Sequence, residues 1–364
     1  MIMAAEWTGP LDGGVLVVGT GLLGTSLGLA LRRAGVEVWL RDQDADALAQ
    51  AGSLGAGRPF TGGPPAGLAV VAVPPAVTAA VVAEVLDAGL AEYATDVASV
   101  KVQTGEQVRS LATSPGRYVG GHPMAGREVS GPSSALVDLF EGRPWVLCPD
   151  EGTDPQAVTR ALAVTRTVGA TPVTMPAADH DAAVALVSHA PHLVASLVAA
   201  RLAEAPAHEV RLAGTGFADV TRVAAGDPGL WTEILTANAA AVSDVLTALR
   251  ADLDRALAAL GSPSTGRDQL AGLLRTGVDG RGRLPGKHGA PPTEYATVTV
   301  VVGDRPGQLA ALFVDAGKAG VNVEDVRIDH SPGQPVGLVE LDVRPGADIV
   351  LTAALREAGW SLRG

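Results

Sequence analysis

The spacing of apolar positions changes period along this chain, and those changes divide it. Val15-Leu16-Val17-Val18 is an unbroken apolar run between glycines, the pattern of a strand buried on both faces of a parallel sheet. Residues 26–34 follow with helical period and stop at Gly35, and residues 36–40 form a second strand ending on Arg41-Asp42. Together they make a βαβ unit of ordinary length, about 30 residues. Further strands are predicted at 68–73, 94–97, 118–121 and 145–147, separated by helices around 76–89 and 101–112. Residues 13–178 therefore read as an open, parallel, Rossmann-type sheet. From 179 to 260 the texture is helical, in Ala- and Leu-rich stretches of which 182–203 and 230–260 are the longest. Broad apolar helix faces of this kind favour a homodimer. Residues 261–292, rich in Gly, Pro, Arg and Ser, read as a linker. Residues 293–364 predict strands at 294–302, 321–328 and 336–343, helices at 308–319 and 349–358, and a closing strand at 360–362. That βαββα order is a small ferredoxin-like module. The fold class is α/β, with an all-α dimerisation domain and this module at the C-terminus.

A chain of 364 residues, 47% of them hydrophobic, has material for two or three cores. Aromatics make up only 3%, so small and branched residues must do the packing, which suits close helix–strand contact. The formal charge of −12 argues against a nucleic-acid partner, because binding phosphates needs a basic face. The short basic stretch from Arg281 to Lys287 reads as loop charge. The single cysteine, Cys148, leaves no intramolecular disulfide and no Cys-based zinc cluster, and its place after an apolar run marks a buried, inert thiol. No stretch reaches the ~18–20 apolar residues that span a bilayer. Residues 1–10 lack the basic start and apolar core of a signal peptide, so the expectation is a cytoplasmic protein with no membrane partner.

Two groups of residues carry candidate chemistry. Gly19-Thr20-Gly21-Leu22-Leu23-Gly24 follows the first strand and opens the first helix, the setting in which a GxGxxG turn holds a dinucleotide. Gly19 permits the tight turn, Gly21 lets the backbone approach a pyrophosphate, Gly24 allows close helix packing, and the helix N-terminus attracts phosphate charge. Asp42 can accept hydrogen bonds from the adenosine ribose hydroxyls, which favours NAD over NADP. Arg41 beside it is a residue type that holds a 2′-phosphate, so both cofactors stay open here. The expected cofactor contacts are Gly19, Gly21, Leu22, Leu23, Gly24, Asp42, Val73 and Ser99; the alternative is a glycine turn without a ligand.

The second group is Asp96-Val97-Ala98-Ser99-Val100-Lys101 with Gly120-Gly121-His122-Pro123-Met124-Ala125-Gly126. Both lie past strand ends, where open α/β sheets bind ligands. His122 can accept a proton near neutral pH and Ser99 can orient its ring, with a satisfied structural histidine as the competing reading. His189 and His192 stand three apart on a helical stretch and share a face. No carboxylate or cysteine completes a ligand set and Pro191 lies between them, so no metal is expected.

Taken in order, these segments resemble the prephenate/arogenate dehydrogenase family of tyrosine biosynthesis. The resemblance is carried by Val17 to Ser26 (VVGTGLLGTS), Asp96 to Lys101 (DVASVK), Gly121 to Gly131 (GHPMAGREVSG), Ser188 to Leu193 (SHAPHL), Gly214 to Ala224 (GTGFADVTRVA), Asp227 to Trp231 (DPGLW) and Leu284 to Lys287 (LPGK), across roughly residues 13–288. It implies oxidative decarboxylation: hydride passes from C4 of a cyclohexadienol ring to NAD⁺ while the ring carboxylate leaves as CO₂. It implies His122 as the base at the C4 hydroxyl, Ser99 between that histidine and the nicotinamide, and Arg222 on the substrate carboxylate, where a guanidinium pairs two-pronged. Asp219, three residues before Arg222, either holds it or is a helix N-terminal acid. The resemblance assigns His189 to the substrate and puts Trp231 and Glu128 near the pocket, with core packing and solvent exposure as their respective alternatives. Ala218 stands where many relatives carry a charge, which puts an intersubunit ion pair there in doubt.

Residues Val301 to Ala310 (VVGDRPGQLA) and Gly320 to Asp325 (GVNVED) resemble an ACT domain, which implies a tyrosine effector or, alternatively, a purely dimerising module. The small-molecule substrate implied is prephenate, with arogenate as the alternative. Two other readings compete. A β-hydroxyacid dehydrogenase or imine reductase would use a lysine on the helical domain, whereas the ordered His-Pro-Met and Thr-Arg-Val motifs point elsewhere. A non-catalytic NAD- and amino-acid-sensing protein would not need Ser99, His122 and Arg222 together.

Overall fold

The computed structural model describes residues 11–126, 129–262, 264–284, 294–330 and 336–363. The chain divides into two compact units, Met1–Ala205 with Val220–Arg250, and Pro206–Asp219 with Ala251–Gly364. The first unit begins with β1 (Val15–Val18), α1 (Leu22–Arg33), β2 (Val38–Arg41), α2 (Ala45–Ser53), β3 (Arg58–Pro59), β4 (Leu68–Val71) and α3 (Pro75–Asp87). It continues through β5 (Ala94–Asp96), α4 (Val102–Leu111), β6 (Tyr118–Pro123), β7 (Pro144–Cys148), α5 (Pro155–Thr167) and β8 (Thr171–Thr174). The eight strands form one sheet in the order β3-β2-β1-β4-β5-β6-β7-β8.

The continuous apolar run of β1 follows from burial on both sides. Val15 and Val17 pack with Leu27 and Leu31 of α1 and Ala161 and Val164 of α5, while Leu16 and Val18 pack with Val82 and Leu86 of α3 and Val108 of α4. Each such side chain contributes about 1.5–3 kcal/mol on full burial. β1 lies between β2 and β4, so the chain winds one way through β2 and β3 and the other way from β4 onward. Val18 is in register with Arg41 on one side and Val71 on the other. The glycine turn, Asp42 and Ala72-Val73 therefore leave the sheet at one edge, the switch point where open α/β sheets bind ligands.

The strand pattern predicted a wholly parallel sheet, and here the structure differs. β6 and β7 are antiparallel, with Gly120 opposite Cys148 and His122 opposite Val146. The segment between them contains a short 3₁₀ turn (Pro132–Ser134) and no α-helix among its described residues. Without a crossover helix to carry the chain back across the sheet, the next strand returns in the opposite sense.

A buried ion pair joins the middle strands. Asp96, closing β5, accepts hydrogen bonds from the Ala98 N–H (2.9 Å), the Tyr118 hydroxyl (2.8 Å), the Gly121 N–H (2.9 Å) and the Lys101 ammonium. Lys101 Nζ also donates to the Gly121 carbonyl at 2.7 Å. Burial, with Asp96 second, holds the Tyr118 hydroxyl well above its ordinary pKa, so Tyr118 remains a donor. So many hydrogen bonds to one carboxylate offset part of the desolvation that a buried pair incurs.

The described residues from 177 to 284 are mainly helical. They include α6 (Ala177–Val184), a π-helical turn (Ala185–His189), α7 (Ala190–Ala199), α8 (Ala207–Val210), α9 (Thr215–Thr221), a 3₁₀ turn (Arg222–Ala225), α10 (Pro228–Ala237), α11 (Ala239–Leu260) and α12 (Gly266–Arg281). The π turn directly precedes Pro191, which lacks the N–H that an α-helix needs at that point, so the chain accommodates an extra residue. The stretch Ala177–Leu202 is, contrary to expectation, long and apolar enough to cross a membrane by length and composition. Its His180, Asp181 and His189 are buried and hydrogen-bonded within the first unit, an arrangement that lipid would have to strip away. Helix α12 runs through residues read as linker; its Leu270, Leu273, Leu274 and Val278 keep helical spacing beneath the Gly- and Arg-rich composition.

The second unit includes β9 (Ala296–Gly303), α13 (Gln308–Lys318), β10 (Asp325–His330), β11 (Val336–Val343), α14 (Ala347–Glu357) and β12 (Ser361–Arg363). Its strands form a fully antiparallel sheet, ordered β10-β11-β9-β12. Val300, Leu312, Val339, Leu341, Leu351 and Leu355 form its dry core.

Replacing Lys101 with Met should strand Asp96 without a counter-charge and lower stability by about 3–5 kcal/mol. The measurement is the first transition in urea unfolding, and the D96N/K101M double variant should recover part of the loss.

Candidate active site

The glycine turn is built for a close backbone approach. Gly19 has φ +96°, and a Cβ there would lie 2.4 Å from the Ala72 carbonyl oxygen. A Cβ on Gly24 would lie 1.9 Å from the Gly19 carbonyl oxygen, so only glycine lets α1 start this near the strand ends. Gly21 differs: nothing stands within 4 Å of a Cβ there, and no side chain caps the helix it opens. Open space in front of an uncapped helix N-terminus is what a pyrophosphate needs. Leu22 and Leu23 supply the first turn of α1, and Val73 packs against Gly19.

Asp42 is held in place by that same turn. Its carboxylate accepts from the Thr20 N–H (2.6 Å), the Thr20 hydroxyl (2.8 Å) and the Asp44 N–H (2.9 Å). Arg41 pairs with Glu84 of α3 at 2.6 Å, so its charge is already engaged by a carboxylate. An acid fixed at the end of β2 and a neutralised neighbouring arginine both suit NAD, and the residues present fit that dinucleotide.

His122 lies near the end of β6 and is buried. Its Nδ1 is 2.8 Å from Nε2 of His180, and His180 Nδ1 is 2.7 Å from the Asp181 carboxylate. Asp181 in turn accepts from the backbone N–H groups of Lys101 (2.8 Å) and Val102 (2.9 Å), at the start of α4. Burial, reinforced by His180, pushes the His122 pKa well below its ordinary value, so the ring is neutral and able to accept a proton. The sequence suggested Ser99 as the residue that orients this ring; on Nδ1 the structure places His180. Ser99 lies half-buried past β5, with no side-chain hydrogen bond to the ring among the described residues.

A second cluster adjoins the first. Asn238, where α10 gives way to α11, donates to the Asp181 carbonyl (2.8 Å) and lies 3.1 Å from His189 Nδ1. His189 meets the edge of Trp231, and His192 stacks on the Trp231 face with centroids 3.5 Å apart. At Gly226, ending the 3₁₀ turn, a Cβ would lie 2.6 Å from Trp231 Nε1 and 3.0 Å from His192 Cε1. That turn is thereby seated on the stack, and Arg222 is its first residue, exposed. Asp219 precedes it on α9, exposed, and Glu128 lies outside the described residues. Cys148 is no nucleophile: burial raises its thiol pKa to about 12.

His180, Asp181 and Asn238 escaped the sequence reading. Their only signal is polar residues interrupting alanine-rich helix, which looks the same when such residues face water.

Burial holds His189 at a pKa of about 4, against 6.5 in an unfolded chain. Below pH 6.5 the unfolded chain takes up a proton that the native state refuses, so stability is lost as pH falls from 6.5 toward 4. The loss is about 1.4 kcal/mol per pH unit for this one group. Urea titrations between these limits should show a shallower pH slope in H189Q, by about one proton.

Residues 27–174 match the family domain described as "Prephenate dehydrogenase, nucleotide-binding domain", and residues 176–276 the one described as "Prephenate dehydrogenase, dimerization domain". The protein named "Probable prephenate dehydrogenase NovF", from Streptomyces niveus, is 40% identical over 354 residues, 95% of this chain and 98% of that protein. The prephenate dehydrogenase of Bacillus subtilis (strain 168) is 28% identical over 353 residues, covering 92% of this chain and 93% of its own. The solved structure of prephenate dehydrogenase from A. aeolicus, in complex with hydroxyphenyl propionate and NAD⁺, superimposes with a TM-score of 0.66 at 26% identity, covering 73% of this chain and 96% of that one. With both family domains matched in order and a relative aligned over nearly its whole length, the chain belongs to the prephenate dehydrogenase family.

Proposed function

We propose that this chain catalyses the NAD⁺-dependent oxidative decarboxylation of prephenate to 4-hydroxyphenylpyruvate. The observation that carries the reading is the buried, neutral His122 at the carboxyl end of the sheet that bears the glycine turn. NAD⁺, when bound, supplies the hydride acceptor; Gly19, Gly21, Leu22, Leu23, Gly24, Asp42, Val73 and Ser99 would hold it.

The protein's own task is to manage one proton and two carboxylates. As hydride leaves C4 of the ring, the C4 hydroxyl becomes acidic and His122 takes its proton. The bond from the ring to its carboxylate then breaks, the electron pair enters the ring, and CO₂ departs. His122 returns the proton to the phenolate oxygen, so no net proton is released. Arg222 is assigned to a substrate carboxylate, and His189 and Trp231 to the ring and side-chain pocket. Support for His189 comes from its bond to Asn238: with Nδ1 accepting, the proton of the neutral ring sits on Nε2, a donor suited to a carboxylate or keto oxygen.

The chain works as a homodimer through its helical half. Leu186, Val187 and Leu197 on the Ala177–Leu202 stretch are large and exposed, as a partner-covered face requires. We assign residues 13–178 to the cofactor domain, 179–260 to the substrate and dimerisation domain, 261–292 to a connection and 293–364 to an ACT-type module. The strand order of the C-terminal sheet and the left-handed Gly307 (φ +87°) that opens α13 support the last assignment. Tyrosine is the effector this module would take.

Reduced-cofactor absorbance tests the activity. Turnover is expected with prephenate and NAD⁺, and weaker turnover with NADP⁺ or with arogenate. H122N should lose about 10²–10⁴-fold in kcat with NAD⁺ binding nearly unchanged; retained turnover would remove His122 from the chemistry. Added tyrosine should lower the initial rate, and a flat response would end the effector assignment.

A further inference from the structure

His122 can act as a base only if its proton and its lone pair are on the right nitrogens. A neutral imidazole carries one of each, and which nitrogen holds the proton is set by the partner of the other. The base role assigned above needs the lone pair on Nε2, because Nδ1 is turned to His180. The protein therefore has to keep the proton on Nδ1.

The proton positions follow from the hydrogen bonds, starting at the group whose character is fixed. Asp181 takes two backbone N–H donors, from Lys101 and Val102, so its carboxylate is an acceptor. His180 Nδ1, 2.7 Å from that carboxylate, must then be the donor; a lone pair there would face a carboxylate oxygen. With its proton on Nδ1, His180 offers the Nε2 lone pair. That lone pair faces His122 Nδ1 at 2.8 Å, so His122 carries its proton on Nδ1 and leaves Nε2 bare. The ring planes stand 77° apart with centroids 5.1 Å apart, and the two facing nitrogens make the contact.

Resting on the base role of His122, we infer that His180 and Asp181 are positioning residues of the reaction, fixing the tautomer of His122 through a relay anchored on the first turn of α4. No proton needs to travel along the relay. When His122 takes the substrate proton on Nε2 it becomes an imidazolium, and its Nδ1–H then donates as a charged group, a stronger bond than in the neutral ring. Asp181, one ring further back, faces the new positive charge. The relay is closed to water at each point: His122, His180 and Asp181 are 8%, 1% and 5% exposed. Lys101 does not compete for Asp181 with its ammonium, which Asp96 and the Gly121 carbonyl occupy.

The test separates the relay from the base itself. A glutamine at 180 can accept from His122 with its amide oxygen and donate to Asp181 with its amide nitrogen, whereas leucine can do neither. H180L should lose about 10²-fold in kcat with the KM for NAD⁺ within about twofold, and H180Q should keep kcat within about tenfold of wild type. Full turnover in H180L, or equal losses in both variants, would overturn the relay. Full turnover in H122N would instead overturn the base role. Should H180L not fold, ¹⁵N NMR of the histidine rings in the wild-type protein decides: a protonated Nδ1 and bare Nε2 on His122 are expected, and the reverse tautomer would overturn the inference.

Discussion

Asp181 uses two carboxylate oxygens to accept three hydrogen bonds, two from the backbone at the start of α4 and one from the ring of His180. The two backbone bonds satisfy N–H groups that every helix leaves orphaned at its first turn, and a negative charge there is favoured by the helix dipole. They also pin α6 to the sheet, since α4 is packed beside β5 and β6. The third bond passes the same carboxylate's influence to His122. One buried charge therefore attaches the helical region to the cofactor-binding sheet and sets the chemistry at their junction. The Asp181 carbonyl continues the arrangement by holding Asn238, which in turn meets His189.

Four histidines lie in this dry region, and burial acts on three of them in one direction. His122, His189 and His192 are each pushed below the ordinary pKa because an imidazolium there would lose its hydration. Neutral rings have one donor and one acceptor each, so their partners decide what each can do. Asn238 and His180 make opposite assignments. His189 keeps its proton on the far nitrogen and can donate, whereas His122 keeps it on the near nitrogen and can accept. The same residue type thus serves two roles within one buried region, without any difference that composition or spacing would reveal.

Around the cofactor crevice the governing constraint is steric. Gly19 and Gly24 are required because Cβ atoms would strike backbone carbonyls, while Gly21 faces open space. The turn also captures Asp42 through Thr20, so the acid proposed for the ribose and the backbone proposed for the pyrophosphate are hydrogen-bonded together. Arg41 looked like an argument for a 2′-phosphate when read beside Asp42 in sequence. In the structure that guanidinium is engaged by Glu84, a residue distant along the chain.

The sequence by itself determined the local features. The apolar run of β1, the glycine turn, the acid closing β2 and the alternating strands of the C-terminal sheet are each visible within a short window, because burial on both faces, a tight turn or strand alternation restricts residue type directly. The place of His122 near a strand end was legible as well. Tertiary structure alone decided the sense of β7, the presence of α12 in a stretch whose composition marked it as linker, and the partners that give the histidines their roles. The antiparallel β6–β7 pair depends on how the intervening segment returns. His180, Asp181 and Asn238 are ordinary polar residues until folding removes the water around them; only then does each hydrogen bond become obligatory, and only then does its partner fix where a proton sits.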